Sequence, residues 1–105
     1  MAQGPRMTIP TQLVLQTLLA DPERELYGLE LGEQAGLRSG TVHPILARLE
    51  GYGWLASRWE DVDPSAEGRP PRRYYKLTDV GQTALVRILL RQADLDRWIR
   101  ETASA

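Results

Sequence analysis

Arg69, Arg72, Arg73 and Lys76, interleaved with Tyr74, close a loop rich in proline and glycine. Planar guanidiniums on a finger of this kind suit phosphate, which they grip through two parallel hydrogen bonds. The loop, Asp61 to Pro71, is too long for a tight hairpin and too rich in Pro and Gly to be helical. Its acidic half, with Glu60, Asp61, Asp63 and Glu67, would repel phosphate, so only the part from Arg69 onward is expected to approach one. A divalent-cation site in that acidic half has no recognised ligand spacing. A second set lies upstream: Ser39, Gly40, Thr41, His43, Pro44 and Arg48 form the polar face of a segment whose Val42, Ile45, Leu46 and Leu49 stand at i, i+3, i+4 and i+7. At a helix start, Ser39 and Thr41 add hydroxyls to backbone donors that already point outward. Arg48, further along, could reach a phosphate or a guanine edge.

The elements that must aim these residues follow from the pattern around them. Before the loop, Leu55, Ser57 and Trp59 alternate with Ala56, Arg58 and Glu60; after it, Tyr75 and Leu77 alternate with Tyr74 and Lys76, so a two-stranded hairpin is expected. Tyr75 and Leu77 should face the core and Tyr74 and Lys76 outward, with Trp54 and Trp59 packing the hairpin on the body. Ahead of this lie a lead-in at residues 1–7, expected to be disordered, and a helix capped by Thr8 or Thr11 that ends near Ala20. Its apolar surface is wider than one stripe, as for a helix covered on two sides. Glu25–Tyr27 reads as a short strand, with Tyr27 packing the start of the next element. Gly28–Ala35 reads as a helix with Leu29 or Leu31 inward and Gly36 as its stop. Ser39 is the expected N-cap of the third helix, a start that leaves Pro44 just past the first turn; a start at Thr41 would suit Pro44 better. Thr78 caps a last helix from Asp79 to about Thr102, ~35 Å long at ~1.5 Å per residue. A small body covers only its first part, leaving Leu95, Trp98 and Ile99 exposed as a partner surface, most economically for a second copy of the chain.

The 105 residues suffice for one small core, and the net charge of −1 requires that any attraction for nucleic acid be concentrated on one face. With no cysteine and one histidine, a disulfide framework, a thiolate metal site and a cysteine nucleophile are excluded. No phosphate-cradling glycine loop and no nucleophile–base set appears, so neither catalysis nor a cofactor is expected. No apolar run reaches membrane-span length and the first residues lack a signal-peptide core, which makes the cytoplasm the simplest location.

Helix, short strand, helix, turn, helix, strand, long loop, strand, long helix is the order of a winged helix-turn-helix, mainly α with a small β-hairpin, at residues 1–78, followed by a C-terminal dimerisation helix at 79–105. In that arrangement the third helix enters the major groove of DNA by its N-terminal residues and the loop lies along the adjacent minor groove. Four separated motifs then carry a resemblance: Leu26-Tyr27-Gly28-Leu29-Glu30-Leu31; Ser39 to Glu50; Gly53-Trp54-Leu55 with Trp59; and Gly68 to Thr78 with Gly81. Together, over roughly Leu26 to Leu85, they resemble the PadR family of transcriptional regulators, in its form with a single short C-terminal helix.

The resemblance implies a repressor that is dimeric through its first and last helices. Leu15, Leu19, Leu85, Ile88, Leu89, Leu95, Trp98 and Ile99 are then the interface residues, and a pseudo-palindromic double-stranded operator is the partner. It also implies response to a small molecule. Some short members hold a flat aromatic ligand between tryptophans at the dimer interface, which makes Trp98 the candidate ligand residue here. In the family Tyr often stands where this chain has His43, a departure at a groove-facing position. The competing expectation is a winged-helix module that binds protein instead of DNA; it requires an apolar outer face on the third helix.

Overall fold

The computed structural model describes residues 4–103. Helix α1 spans Ile9–Leu19 and starts at Thr8, whose hydroxyl accepts from the Thr11 amide at 3.3 Å, with Pro10 in the first turn where no amide is needed. Val14, Leu15 and Leu18 of α1 are buried. Strand β1 is only Leu26–Tyr27, and α2 follows directly as Gly28–Ala35. Glu30 reaches back to accept from the Tyr27 amide at 3.3 Å, and Gly36 ends α2 with a φ of 72°, a left-handed conformation that favours glycine. Leu31 is the inward leucine; Leu29 is exposed.

Helix α3 spans Ser39–Gly51, and its N-cap is Arg38, not Ser39. The Arg38 backbone is extended, and its carbonyl already accepts from the amides of Thr41 and Val42 at 2.9 and 3.0 Å, which places Ser39 inside the first turn. Pro44 therefore sits within the helix. It is tolerated because it lies on the exposed side, where water can satisfy the carbonyl left without a donor. Val42, Ile45, Leu46 and Leu49 are buried, as their spacing predicts.

Strands β2 (Leu55–Trp59) and β3 (Arg73–Leu77) pair antiparallel, from Leu55 opposite Leu77 to Trp59 opposite Arg73. Strand β1 pairs with the other edge of β3, so the sheet has three strands in the order β1-β3-β2. Tyr75 and Leu77 face the core. Trp54 is buried, but Trp59, expected to pack on the body, is exposed at the far end of β2. The loop between β2 and β3 contains one helical turn, α4 (Pro64–Glu67), contrary to the non-helical expectation. A single turn needs only a start and a stop: Asp63 accepts from the Ser65 amide at 3.0 Å, Pro64 presets the first residue, and Gly68 ends the turn at a φ of 68°.

Helix α5, Asp79–Ala103, leaves the body. Only Gly81 and Leu85 of it are buried, and the chain measures 66 × 30 × 23 Å with a radius of gyration of 16.5 Å. A compact domain of this length would have about 13 Å, so the tail does not fold back. Two residues expected at a subunit interface belong instead to the chain's own core: Leu15 and Leu85 are 0% and 3% exposed, and neither has surface to offer a partner. Leu19 and Ile88 are half-buried against that core. Of the expected lead-in, residues 1–3 lie outside the described residues; Met7 packs against the core.

Candidate nucleic-acid interface

On α3, Ser39, Gly40, Thr41, His43, Pro44, Ala47 and Arg48 are all exposed. Two glycines of α2 allow close approach, one by the turn that follows and one by α3. A Cβ on Gly32 would lie 2.8 Å from the Leu37 carbonyl oxygen, and one on Gly28 would lie 2.8 Å from Cε1 of His43. The His43 ring thus rests over the start of α2, held there because position 28 carries no side chain. Arg38 at the N-cap and Arg48 in the last turn are exposed and make no ion pair among the described residues. Arg38 is a site candidate that residue patterning did not single out; its position next to Ser39, at the start of the groove-sized helix, was the available signal.

The wing cations are differently placed. Arg69 forks onto Glu60, with Nη1 and Nη2 donating at 2.6 and 3.2 Å. Arg73 donates to Ser57 at 2.9 Å and to Glu50 at 3.2 Å. Lys76 pairs with Glu23 at 3.2 Å, and Arg58, outside the expected set, with Glu25 at 2.6 Å. Arg72 has no carboxylate partner among the described residues; its guanidinium lies 4.3 Å from the centre of the Tyr27 ring. Tyr74 meets Tyr27 edge-on at 5.7 Å and takes Arg58 on its face at 5.2 Å. The outer face of the sheet is therefore a stack of aromatic rings and guanidiniums.

Glu60 explains why acid stands in a basic wing. It accepts from both Arg69 nitrogens, from the Arg72 amide at 3.3 Å and from the Tyr74 hydroxyl at 3.3 Å. It buckles the two sides of the loop together. The Arg69 fork first, then the Arg72 amide and the Tyr74 hydroxyl, pull its pKa from an ordinary 4.5 to about 2. Because the folded pKa lies below the unfolded one, the stabilisation is present above about pH 4.5 and drains away as the pH falls toward 2. Glu60→Gln should therefore speed amide exchange at residues 60–73 at pH 7 and remove the acid sensitivity of that segment. If opening of the wild-type segment, corrected for intrinsic exchange, is flat between pH 5 and 2, the buckle is contradicted.

The family model described as the transcriptional regulator PadR-like family matches residues 14–87. The chain belongs to that family. No curated protein sequence matches it. Among solved structures, it resembles a PadR family transcription regulator from Clostridium difficile R20291, with a TM-score of 0.71 and 21% identity over 90% of this chain and 97% of that one. It also resembles smu.1704 from Streptococcus mutans UA159, with a TM-score of 0.67 and 23% identity over 98% and 95% of the two chains. A third likeness is to S. aureus MepR in a complex with DNA, with a TM-score of 0.69 and 16% identity over 92% and 73%. These likenesses bear on fold; the family match makes the chain a PadR-like transcriptional regulator, in a family of regulators and not of enzymes.

In this PadR-like chain the remaining expected residues lie on α5. Leu89, Leu95, Trp98 and Ile99 are exposed, and Leu90 beside them as well. A groove of about 120 Å³ runs between α1 and α5, lined by Met7, Gln12, Gln16, Leu85, Ile88, Leu89 and Gln92. Trp98 stands further along the helix, 62% exposed. Among the described residues no helix is long and apolar enough to cross a membrane.

Proposed function

We propose that the chain is a cytoplasmic, homodimeric, sequence-specific DNA-binding repressor whose third helix reads the major groove. The observation that carries this reading is the outer face of α3: its exposed residues are hydroxyls, an imidazole, a small alanine and Arg48, with Arg38 at its start. Such a face suits groove reading. A protein-docking surface would show large apolar side chains there, and Thr41, His43, Ala47 and Arg48 supply none. The winged-helix likeness to a protein solved on DNA supports the same reading.

Roles divide by pairing. Thr41 and His43 face base edges, Ser39, Gly40 and Pro44 bring the helix start close to the backbone, and Arg38, Arg48 and Arg72 neutralise phosphate. Gly40 suits this, since nothing lies within 4 Å of where its Cβ would be and DNA can approach the bare backbone. Arg69 and Lys76 are already paired with Glu60 and Glu23 and reach phosphate only by dividing their charge between the two anions, and Tyr74 lies beside them. Two copies would read half-sites roughly 34 Å apart. A flat aromatic effector would sit against Trp98 between the copies.

The test is anisotropy titration on sites selected from random duplex DNA. With ~6–8 phosphates neutralised per dimer, log affinity should fall against log salt with a slope of about −5 to −7. Arg38→Ala or Arg48→Ala should flatten that slope by about 2 per dimer, one phosphate in each copy. Thr41→Ala and His43→Ala should leave the slope alone and relax the preference for the selected site, by about tenfold for each base no longer read. Failure to enrich any sequence, or complexes indifferent to salt, would remove the reading.

A further inference from the structure

Arg73 stands where a wing cation is expected to touch phosphate, yet its donors are turned toward the body. Its Nε donates to the Ser57 hydroxyl at 2.9 Å and its Nη2 to Glu50 Oε1 at 3.2 Å, while Glu50 Oε2 accepts from the same Ser57 hydroxyl. The three side chains close a ring. They come from three elements: Glu50 from the last turn of α3, Ser57 from the middle of β2, Arg73 from the start of β3. The face of the guanidinium is occupied too, lying 5.4 Å from the Trp59 ring centre and 6.0 Å from that of Tyr75. Trp59 is directly opposite Arg73 in the ladder, which accounts for an exposed tryptophan at the wing root.

Resting on the DNA-binding reading above, we propose that Glu50, Ser57 and Arg73 are positioning residues that fix the inclination of the wing to the end of the groove-reading helix, and that Arg73 does not spend its charge on phosphate. A winged helix reads two grooves at once, and the distance between its two points of contact depends on the angle at which the hairpin leaves α3. Leu55 at the hairpin base is fixed by core packing, but β2 beyond it and the first half of β3 are exposed or half-buried. Packing alone leaves that angle soft. The ring spans the gap from α3 to both strands with charge-assisted hydrogen bonds, which are directional. A carboxylate at the end of a DNA-reading helix repels phosphate unless its charge is held by a partner, and Arg73 holds that of Glu50.

Phosphate binding and positioning give different salt dependence. If Arg73 positions the wing, Arg73→Ala weakens operator binding while leaving the log–log salt slope unchanged; if Arg73 instead neutralises a phosphate in each subunit, the substitution flattens the slope by about 2. Glu50→Gln keeps the shape and removes the charge, Ser57→Ala removes the shared hydroxyl, and each should weaken binding by about two- to fivefold, the range for half-exposed ion pairs. The double variant Glu50→Gln/Arg73→Ala should bind no worse than Arg73→Ala alone, because both break one unit. Hydroxyl-radical footprints should lose the outer, wing-side protection and keep the protection over α3.

A measurement on the free protein separates this inference from the DNA reading. Glu50→Gln should raise amide exchange in β3 and at residues 57–59 while α1 and α2 exchange as in the wild type. If the wild type binds no DNA but the exchange changes, the functional reading fails and the clamp stands. A flattened salt slope for Arg73→Ala, additive losses in the double variant, or unchanged exchange would each overturn the inference.

Discussion

Gly81→Ala should destabilise the protein by about 3 kcal/mol, at the upper end of what overpacking costs, although alanine is the better helix former by ~1 kcal/mol. The added Cβ would lie 2.2 Å from the Trp54 carbonyl oxygen and 3.0 Å from its carbonyl carbon and Cα. All three are backbone atoms, so no side chain can rotate out of the way. The same spot holds the start of α5 to the body. The Thr78 amide donates to the Trp54 carbonyl at 2.9 Å, the Thr78 hydroxyl donates to the Gly53 carbonyl at 2.6 Å, and that hydroxyl accepts from the Gly81 amide at 3.0 Å. Pushing α5 away from Trp54 breaks this set and draws Leu85 out of the core. The expected fall in melting temperature is roughly 12–24 °C for a domain of this size. Gly51→Ala is the control: nothing lies within 4 Å of its Cβ, and as a helical position it should gain up to ~1 kcal/mol. A Gly81→Ala melt within a few degrees of wild type would mean that α5 crosses the Trp54 backbone at a greater distance.

That close crossing shows which parts of the structure were legible from residue order. Local devices were. The Gly28–Ala35 helix and its glycine stop, the Thr8 start of α1, the α3 stripe and the inward Tyr75 and Leu77 all follow from periodicity and caps within one element. The differences arise where a second element intervenes. Leu15 and Leu85 carry an apolar signature that fits a core and an interface equally, and only the packing of the body on them decides. Trp59 is exposed because its partner is a cation across the ladder, Arg73, and not the core. Charge is the hardest to read. The wing cations look free in the sequence because their acids are remote: Glu50 lies 23 residues before Arg73, and Glu23 lies 53 before Lys76. Glu60 looks like an obstacle to phosphate until Arg69 and Tyr74 converge on it in the fold. Counting arginines therefore does not separate paired cations from unpaired ones; among the described residues Arg38 and Arg48 make no ion pair.

Leu95→Asp combined with Trp98→Asp should convert the protein to a monomer with its winged-helix core intact, and reduce affinity for a two-half-site operator by about 10²- to 10⁴-fold, the range lost when two linked sites become separate. The spacing of α5 is the reason. Leu85, Ile88, Gln92, Leu95 and Ile99 follow one another at alternating steps of three and four, the pattern of a helix meant to lie along another helix. The stripe begins inside the chain's own core at Leu85, is half-covered at Ile88, and runs on uncovered at Leu95 and Ile99, with Trp98 alongside. Among the described residues nothing buries the helix beyond that point, and isolated helices shorter than ~12–15 residues are marginal in water. In the homodimer proposed above, pairing along this stripe would cover the helix, which also exposes Val86 and Leu90 beside it. In a two-fold pair each substituted residue occurs once in each copy, so one substitution acts twice. Sedimentation equilibrium should show a dimer for the wild type and a monomer for the variant. Melting of the core should change little, because residues 95 and 98 lie outside it. Affinity for an isolated half-site should be unchanged, since α3 and the wing are untouched. A variant that remains dimeric would move the interface elsewhere, and a wild type that is monomeric at micromolar concentration would remove it together with the two-half-site reading of the operator.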